Sequence, residues 1–174
     1  MRLSPDGRWL VVTEQQGWAR SEVFFKDRRR QDSSFIPLVE KVPALFGVTA
    51  RNDRLLVHTN DGAPRYRLLR VDPLKPARDA WAEIVPESAD VLEGVAAVGD
   101  SLIALYSRRA TSRLTWLDRQ GAFRQEVDLP TLGTIAGLGA EWDGSELFFG
   151  FQSVTVPPTV YRLDLETGQT SLWG

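Results

Sequence analysis

A strong apolar run returns along this chain at a nearly constant interval. "RWLVV" at 8–12, "RLLVHT" at 54–59, "SLIALY" at 101–106 and "ELFFGF" at 146–151 recur about every 46 residues. Self-similarity at such a period restricts a chain to repeat architectures, in which each unit is one supersecondary module. The runs are short, rich in β-branched and aromatic residues and bounded by turn formers, and no window of a dozen residues carries a helical period. The chain therefore reads as all-β. Each run follows a turn: "SPDG" before Arg8, "RND" before Arg54, "VGD" before Ser101 and "WDG" before Ser145. Such turns suit two-residue hairpins, because Asp-Gly and its relatives tolerate left-handed backbone and aspartate side chains bond nearby backbone N–H groups.

A second series keeps the same period. "EVFFKD", "YRLLRVD", "RLTWLD" and "VYRLDL" carry Asp27, Asp72, Asp118 and Asp164, again about 46 apart. Four aspartates at one phase, each opening a polar turn, read as Asx-type turn formers and not as ligands. Weaker strands complete each unit: "FIPLVE", "WAEIVP", "FRQEVDL" and "TSLW", then "LFGVTA", "LEGVAAV" and "IAGLGAEW". Four short antiparallel strands per unit of this length are the signature of a β-propeller blade. The expected fold is an all-β partial β-propeller of about four four-stranded antiparallel blades, at 1–43, 44–88, 89–131 and 132–174. The first unit retains only "MRLS" of its innermost strand, so a slice of a larger ring is expected. Second and third strands packed between neighbouring blades should be buried on both faces. Small residues of the inner strands, Gly47, Gly94, Ala96, Ala97, Gly137 and Gly139, are expected where bulky side chains would collide.

Chemistry is harder to find. Gly99-Asp100-Ser101-Leu102 spells the signature that marks a nucleophilic serine in the GDSL hydrolases, and such a serine needs a base. The single histidine, His58, lies upstream in "LLVHTN", whereas those enzymes place Asp and His downstream. Asp100 and Ser101 are therefore assigned to the same hairpin turn as Asp6-Gly7, Asp53-Arg54 and Asp143-Gly144. Lys and Arg total 21 against 23 Asp and Glu, which gives no electrostatic footprint for nucleic acid. "KDRRRQD", with an aspartate near each end, reads as a solvated turn. The absence of cysteine excludes disulfides and thiolate ligands, and one histidine argues against a zinc or iron site. No cofactor, metal or catalytic residue is assigned. No apolar run reaches the roughly 18 residues that span a bilayer. "MRLSPDGRWL" has no apolar signal region, and it suggests a chain that starts partway through a larger protein. A cytoplasmic location is expected, with the periplasm as the alternative. Trp9, Trp81, Trp116 and Trp173 are expected inside strands as interblade packing. Trp18, in the polar "EQQGWARSE", has no repeat partner and is the aromatic expected to face a partner domain.

Two longer strings narrow the family. "NDGAPRYRLLRVDPLKPARDAWAEIVPE" at 60–87 and "FQSVTVPPTVYRLDLETG" at 151–168 resemble blades of the prolyl oligopeptidase propellers. The first matches in its Asn, Tyr-Arg-Leu, Asp-Pro, Trp and closing Val-Pro-Glu. The second matches in its Ser, paired prolines, Tyr, Asp-Leu and Thr-Gly turn. The resemblance covers essentially the whole chain. It implies a seven-bladed propeller set as a lid over an α/β-hydrolase domain, the pair cleaving short peptides after proline. The family's catalytic Ser, Asp and His belong to that second domain. No G-x-S-x-G elbow is present here, and "SLWG" stands where the hydrolase domain would begin. The implied role is a non-catalytic fragment that covers the active site and restricts access to short proline-containing peptides; the alternative is a stand-alone β-propeller binding module. The implied partners are the missing propeller half, the hydrolase domain and short peptides, with no nucleic acid and no membrane. Exposed blade faces should also cause self-association, as a two-fold dimer closing a ring of about eight blades.

Overall fold

Short runs of apolar and β-branched residues punctuated by Gly, Pro and Asp produce sixteen strands and one 3-10 turn among the described residues of this computed structural model, 1–31, 34–51 and 53–173. Asp32 of "KDRRRQD", Asn52 of the "RND" turn and Gly174 of "SLWG" lie outside the described residues. The strands form four sheets of four, each in sequential order, with every pairing antiparallel. The first sheet holds β1 (Arg2–Leu3), β2 (Trp9–Gln16), β3 (Arg20–Asp27) and β4 (Ile36–Val39). The second holds β5 (Phe46–Arg51), β6 (Arg54–Thr59), β7 (Arg67–Val71) and β8 (Ala82–Val85). The third holds β9 (Val91–Val98), β10 (Ser101–Arg108), β11 (Thr111–Asp118) and β12 (Phe123–Val127). The fourth holds β13 (Thr134–Ala140), β14 (Glu146–Gln152), β15 (Thr159–Asp164) and β16 (Thr170–Leu172). Four such meanders are the blades of a partial β-propeller.

The chain divides into two units, residues 1–87 and 88–174. In the first, Trp9, Val11, Val23 and Phe25 of the first sheet pack on Phe46, Val48, Leu55, Val57 and Val71 of the second. In the second, Ile103, Leu114 and Trp116 of the third sheet pack on Leu147, Phe149, Phe151 and Leu163 of the fourth. Each unit is thus two sheets sharing one apolar interior. A serine at the start of the third strand fastens each pair. Ser21 accepts the backbone N–H of Phe46 at 2.7 Å, and the Ser21 N–H donates to the Ala44 carbonyl at 3.0 Å. Ser112 repeats this pattern: its hydroxyl accepts the Ile135 N–H at 2.9 Å, and its N–H donates to the Gly133 carbonyl at 2.8 Å.

Four expectations are corrected. Of the turns that lead into the second strands, only β5–β6 and β9–β10 have two intervening residues, pairing Arg51 with Arg54 and Val98 with Ser101. The first and fourth sheets need longer turns, from Leu3 to Leu10 and from Ala140 to Leu147. Continuous burial belongs to β10 alone among the second strands, since β6 and β14 alternate buried with half-buried residues and β2 becomes exposed beyond Val12. Crowding does not select the inner-strand glycines: a Cβ on Gly47 or Gly139 would meet nothing nearer than 3.9 Å, and Gly94 and Gly137 have nothing within 4 Å. Gly137 is required by its backbone, φ +89°, at the register shift between Ile135 and Leu138. Finally, Trp81 and Trp173 lie outside strands. Trp81 follows the 3-10 turn Arg78–Ala80 and donates from its indole to the Pro76 carbonyl at 2.9 Å. Trp173 follows β16, is 52 % exposed, and packs edge-on against Phe148 with ring centroids 5.0 Å apart.

Candidate functional site

Every sheet presents two dissimilar ends. One carries the turns from first to second and from third to fourth strand, and we call it the aspartate end. The other carries the turns from second to third strand and the links to the next sheet, and we call it the link end.

At the aspartate end the recurrent carboxylates are all occupied as turn formers. Asp27 accepts the Arg29 N–H at 3.0 Å and Asp72 the Leu74 N–H at 2.8 Å. Asp118 accepts the N–H groups of Gln120 and Ala122 at 2.8 and 2.9 Å, and Asp164 those of Glu166 and Thr167 at 2.8 and 2.9 Å. Paired turns of one sheet are tied together: Arg8 donates to Asp27 at 3.1 and 2.9 Å, Arg29 pairs with Asp6 at 3.3 Å, and Arg119 pairs with Asp100 at 3.3 Å. Hydrogen bonding from Arg8 holds the Asp27 carboxyl below the usual carboxylate range. The Ser4 hydroxyl does the same for Asp6, and the Thr167 and Glu166 N–H groups for Asp164. Carboxylates lowered and saturated in this way are fixed structural charges and not bases poised near neutral pH.

Ser101 belongs to this end as well. It is 8 % exposed, and its hydroxyl oxygen accepts the Trp116 indole N–H at 2.8 Å. His58, on β6 in the first unit, stacks on Tyr66 with ring centroids 4.7 Å apart. Of the two residues assigned to the hairpin turn, Asp100 lies in it, whereas Ser101 opens β10 opposite Val98, with its hydroxyl occupied by a tryptophan. Among the described residues no cluster of three or more His, Cys, Asp or Glu side chains is placed to hold a metal ion.

Among the described residues, an open cleft lies in each unit. In the first unit a cleft of about 290 Å³ at the aspartate end is lined by Arg8, Trp9, Asp53, Arg54, Arg70, Asp72 and Leu74. Arg54 pairs there with Asp53 and Arg8 with Asp27, and Arg8 lies 4.4 Å above the Trp9 ring. In the second, a cleft of about 380 Å³ runs between Asp128–Pro130 and the edge strand, beside Tyr161. Both are open surfaces of mixed polar and apolar lining.

The link end differs. Apart from Met1, the three most exposed large apolar side chains are Trp18 at 96 %, Leu132 at 79 % and Val154 at 104 %. All three lie in link-end connections. The four non-glycine residues with positive φ among the described residues, Lys41, Tyr66, Arg109 and Ala110, lie there too, whereas Gly7, Gly99, Gly121 and Gly168 take the left-handed positions of the aspartate end. Beneath the Arg109-Ala110 tip, Arg113 donates to Asp90 at 3.0 Å and to both carboxylate oxygens of Glu126, one at 2.8 Å. Arg108 adds an ion pair to Asp90 at 3.5 Å. Burial pushes the Tyr106 hydroxyl up, and the Glu126 carboxylate raises Arg113 further. Ser21, Ser112 and the Asp90–Arg113–Glu126 network were not marked in the sequence reading. The serines had a signal, because "RSEVFF" and "TSRLTW" place a serine at one phase two repeats apart. The network has none, since its residues come from three separate strands or links.

Comparison with known proteins agrees with this architecture. The model of the family described as prolyl oligopeptidase, N-terminal beta-propeller domain, matches residues 1–174. Prolyl endopeptidases of Elizabethkingia miricola and Elizabethkingia meningoseptica are 27 % and 25 % identical over 172 residues, 98 % of this chain and 24 % of theirs. A solved structure from a study of two prolyl endopeptidases, concerned with inter-domain dynamics in catalysis and specificity, superposes with a TM-score of 0.92 at 37 % identity, over 98 % of this chain and 25 % of that one. Prolyl oligopeptidase B from Galerina marginata, bound to a 35mer substrate, gives a TM-score of 0.86 over the same shares of the two chains at 17 % identity, a likeness of fold. The chain therefore spans about a quarter of the length of these relatives.

Proposed function

The chain belongs to the prolyl oligopeptidase N-terminal β-propeller family, and on that premise we propose that it is a non-catalytic propeller segment of a longer serine endopeptidase. Its role there is steric: the propeller covers the active site and admits short proline-containing peptides while excluding folded proteins and bulk water. The observation that carries this reading is the match of the propeller family over residues 1–174, in relatives four times as long that are named prolyl endopeptidases. The saturated carboxylates and the occupied Ser101 hydroxyl support a scaffold and not a bond-breaking site. A fluorophosphonate probe tests it. The full-length gene product should label at a serine outside residues 1–174, and its cleavage rate should fall as substrate length grows. Labelling within 1–174, or a native stop codon directly after Gly174, overturns the reading, and the stop codon would favour a stand-alone binding module.

Taken by itself, the chain should also associate with a second copy. The faces turned away from the two interiors carry Leu3 and Leu10 on the first sheet and Phe148, Val160 and Trp173 on the fourth, with Leu3, Val160 and Trp173 exposed. Apolar surface of this kind finds partners when it is contiguous. Light scattering after gel filtration should give a dimer at micromolar concentration, and a clean monomer would count against it.

A further inference from the structure

We propose that the outer edge of the fourth sheet, β16 with the cleft beside it, binds an extended peptide segment by antiparallel strand addition. The segment it fits has apolar side chains at alternate positions and a basic residue to meet Asp128. This surface lies wholly on the second unit and does not depend on the peptidase reading.

Three observations carry it. First, β16 differs from the outer strands of the other three sheets. An unpaired strand edge templates further pairing unless a bulge, a proline or a charge blunts it. The pairing of β4 shifts register between Val23 and Phe24, and β4 contains Pro37. The pairing of β8 shifts between Leu68 and Leu69, and its Glu83 is held by Arg67. The pairing of β12 shifts between Trp116 and Leu117, and β12 carries Arg124 and Glu126. β16, with the sequence Thr-Ser-Leu, has no proline, no charge and no shift against β15.

Second, its open edge offers a backbone ladder. The Gln169 carbonyl accepts the Asp164 N–H at 3.0 Å, and the Trp173 N–H donates to the Val160 carbonyl at 2.9 Å. Alternate residues of an antiparallel strand turn their backbone groups to the same neighbour. Gln169, Ser171 and Trp173 therefore face β15, and the N–H and C=O groups of Thr170 and Leu172 face away from it, without a partner among the described residues.

Third, a cleft lies where the side chains of an added strand would go. Thr170 and Leu172 pair with Leu163 and Tyr161, and the cleft of about 380 Å³ on that face is lined by Asp128, Leu129, Pro130 and Tyr161 as well. The Tyr161 ring is fixed against Phe149 and Phe151, with centroids 5.8 and 5.9 Å apart, and Gln125 ties the β15–β16 turn to β12 by donating to the Gly168 carbonyl at 3.3 Å. In an antiparallel pair the residues that exchange hydrogen bonds also share a face, so the residues bonded to Thr170 and Leu172 turn their side chains onto Leu129 and Pro130. Ladder bonds with a pocket for alternate side chains are the two elements of peptide recognition by strand addition. Asp128 is exposed and has no ion pair among the described residues, which leaves its carboxylate for a lysine or arginine of the segment. Three residues of edge are too few for the roughly 1,200–2,000 Å² that a stable complex of folded proteins buries. The occupant is therefore a short segment and not a second copy.

The probe is the fluorescent peptide acetyl-Lys-Val-Thr-Val-Thr-Val-Lys-amide, which lacks proline. It is titrated by fluorescence anisotropy against the full-length gene product, with a fluorophosphonate present to block any serine-peptidase site. Saturable binding is expected. Leu172→Pro removes an outward N–H and no bond to β15, and should weaken binding about tenfold with the thermal midpoint little changed. Asp128→Asn should weaken it roughly threefold at low salt and less at high salt. On the parent protein, N-methylation of the peptide's valines should abolish binding, because their N–H groups face the edge, whereas N-methylation of its threonines should spare it. No saturable binding, or equal loss with both methylated peptides, overturns strand addition, and that comparison decides the matter should Leu172→Pro fail to fold. Concentration-dependent dimerisation of the full-length protein that Leu172→Pro removes would put a second copy on the edge and overturn the peptide as its occupant.

Discussion

The two ends of these sheets solve the same geometric problem, reversing an antiparallel strand, with opposite chemistry. At the aspartate end, left-handed positions go to glycine, turn N–H groups are capped by carboxylates, and arginines tie neighbouring turns together. At the link end, Gly17 and Gly62 share the positive-φ positions with four non-glycine residues, and the most exposed apolar side chains project into solvent. The first pattern minimises the free energy of the isolated fold. The second sacrifices part of it, which is the behaviour expected where a surface is kept for something else. The comparison therefore teaches that the repeats share a stabilising end and differ at the end available to function.

The sharpest way to break that contrast is to remove a carboxylate from the stabilising end. Asp27 is buried, accepts two hydrogen bonds from Arg8 and caps the Arg29 N–H. Asp27→Ala should cost about 3 kcal/mol at neutral pH, because bonds to a charged group are lost and Arg8 is left without its partner. The pH dependence has a definite sign. Asp27 has a lower pKa folded than unfolded, so its contribution is complete above the unfolded carboxylate value, about 3.9, and is lost as pH falls through the folded value. Urea titrations of parent and variant should be far apart at pH 7 and converge towards pH 2. A gap that stayed constant with pH would show that the ion pair does not stabilise the turn.

The sheet pairs offer a second test at the link end. Ser21→Ala removes the hydroxyl that accepts the buried Phe46 N–H, at a cost of about 2 kcal/mol, read as a lower urea midpoint with unchanged slope. Ser112→Ala, at a more exposed site, should cost less. In the opposite direction, Ala110→Gly should raise stability by about 1 kcal/mol, since it relieves a left-handed alanine. A loss of stability there would mean that Ala110 is not strained.

How far this contrast could be read beforehand differs between the ends. The aspartate end was legible because its determinants are local: an aspartate bonding N–H groups two to four residues ahead leaves a mark at fixed phase, and Asp27, Asp72, Asp118 and Asp164 all carried it. Strand existence and order were legible for the same reason. Burial of β10 on both faces, by contrast, against the alternation in β6 and β14, depends on what covers each sheet, which hydropathy does not encode. The Asp90–Arg113–Glu126 network joins positions 23 and 13 residues apart, and no periodic signal marks such a set. Trp173 was expected inside a strand, but β16 ends at Leu172, and the indole falls on the outside of the fourth sheet against Phe148. The candidate surface at the link end was visible only in part, through the isolation of Trp18 from any repeat.

The smallest effect is the most discriminating. Val154 is fully exposed, and the hydrogen bonds that close its loop come from Ser153 and not from Val154 itself. Val154→Ser removes apolar surface that the folded chain does not bury, so stability should change by no more than about 0.5 kcal/mol, a shift of about 2 °C or less in the melting midpoint for a chain of this size. Ser153→Ala in the same loop should be the more damaging change, although it removes only one oxygen. If calorimetry instead found Val154→Ser several degrees less stable than Ser153→Ala, Val154 would be packing against the fold, and the distinction between a stabilising end and a reserved end would fail at the residue that shows it most clearly.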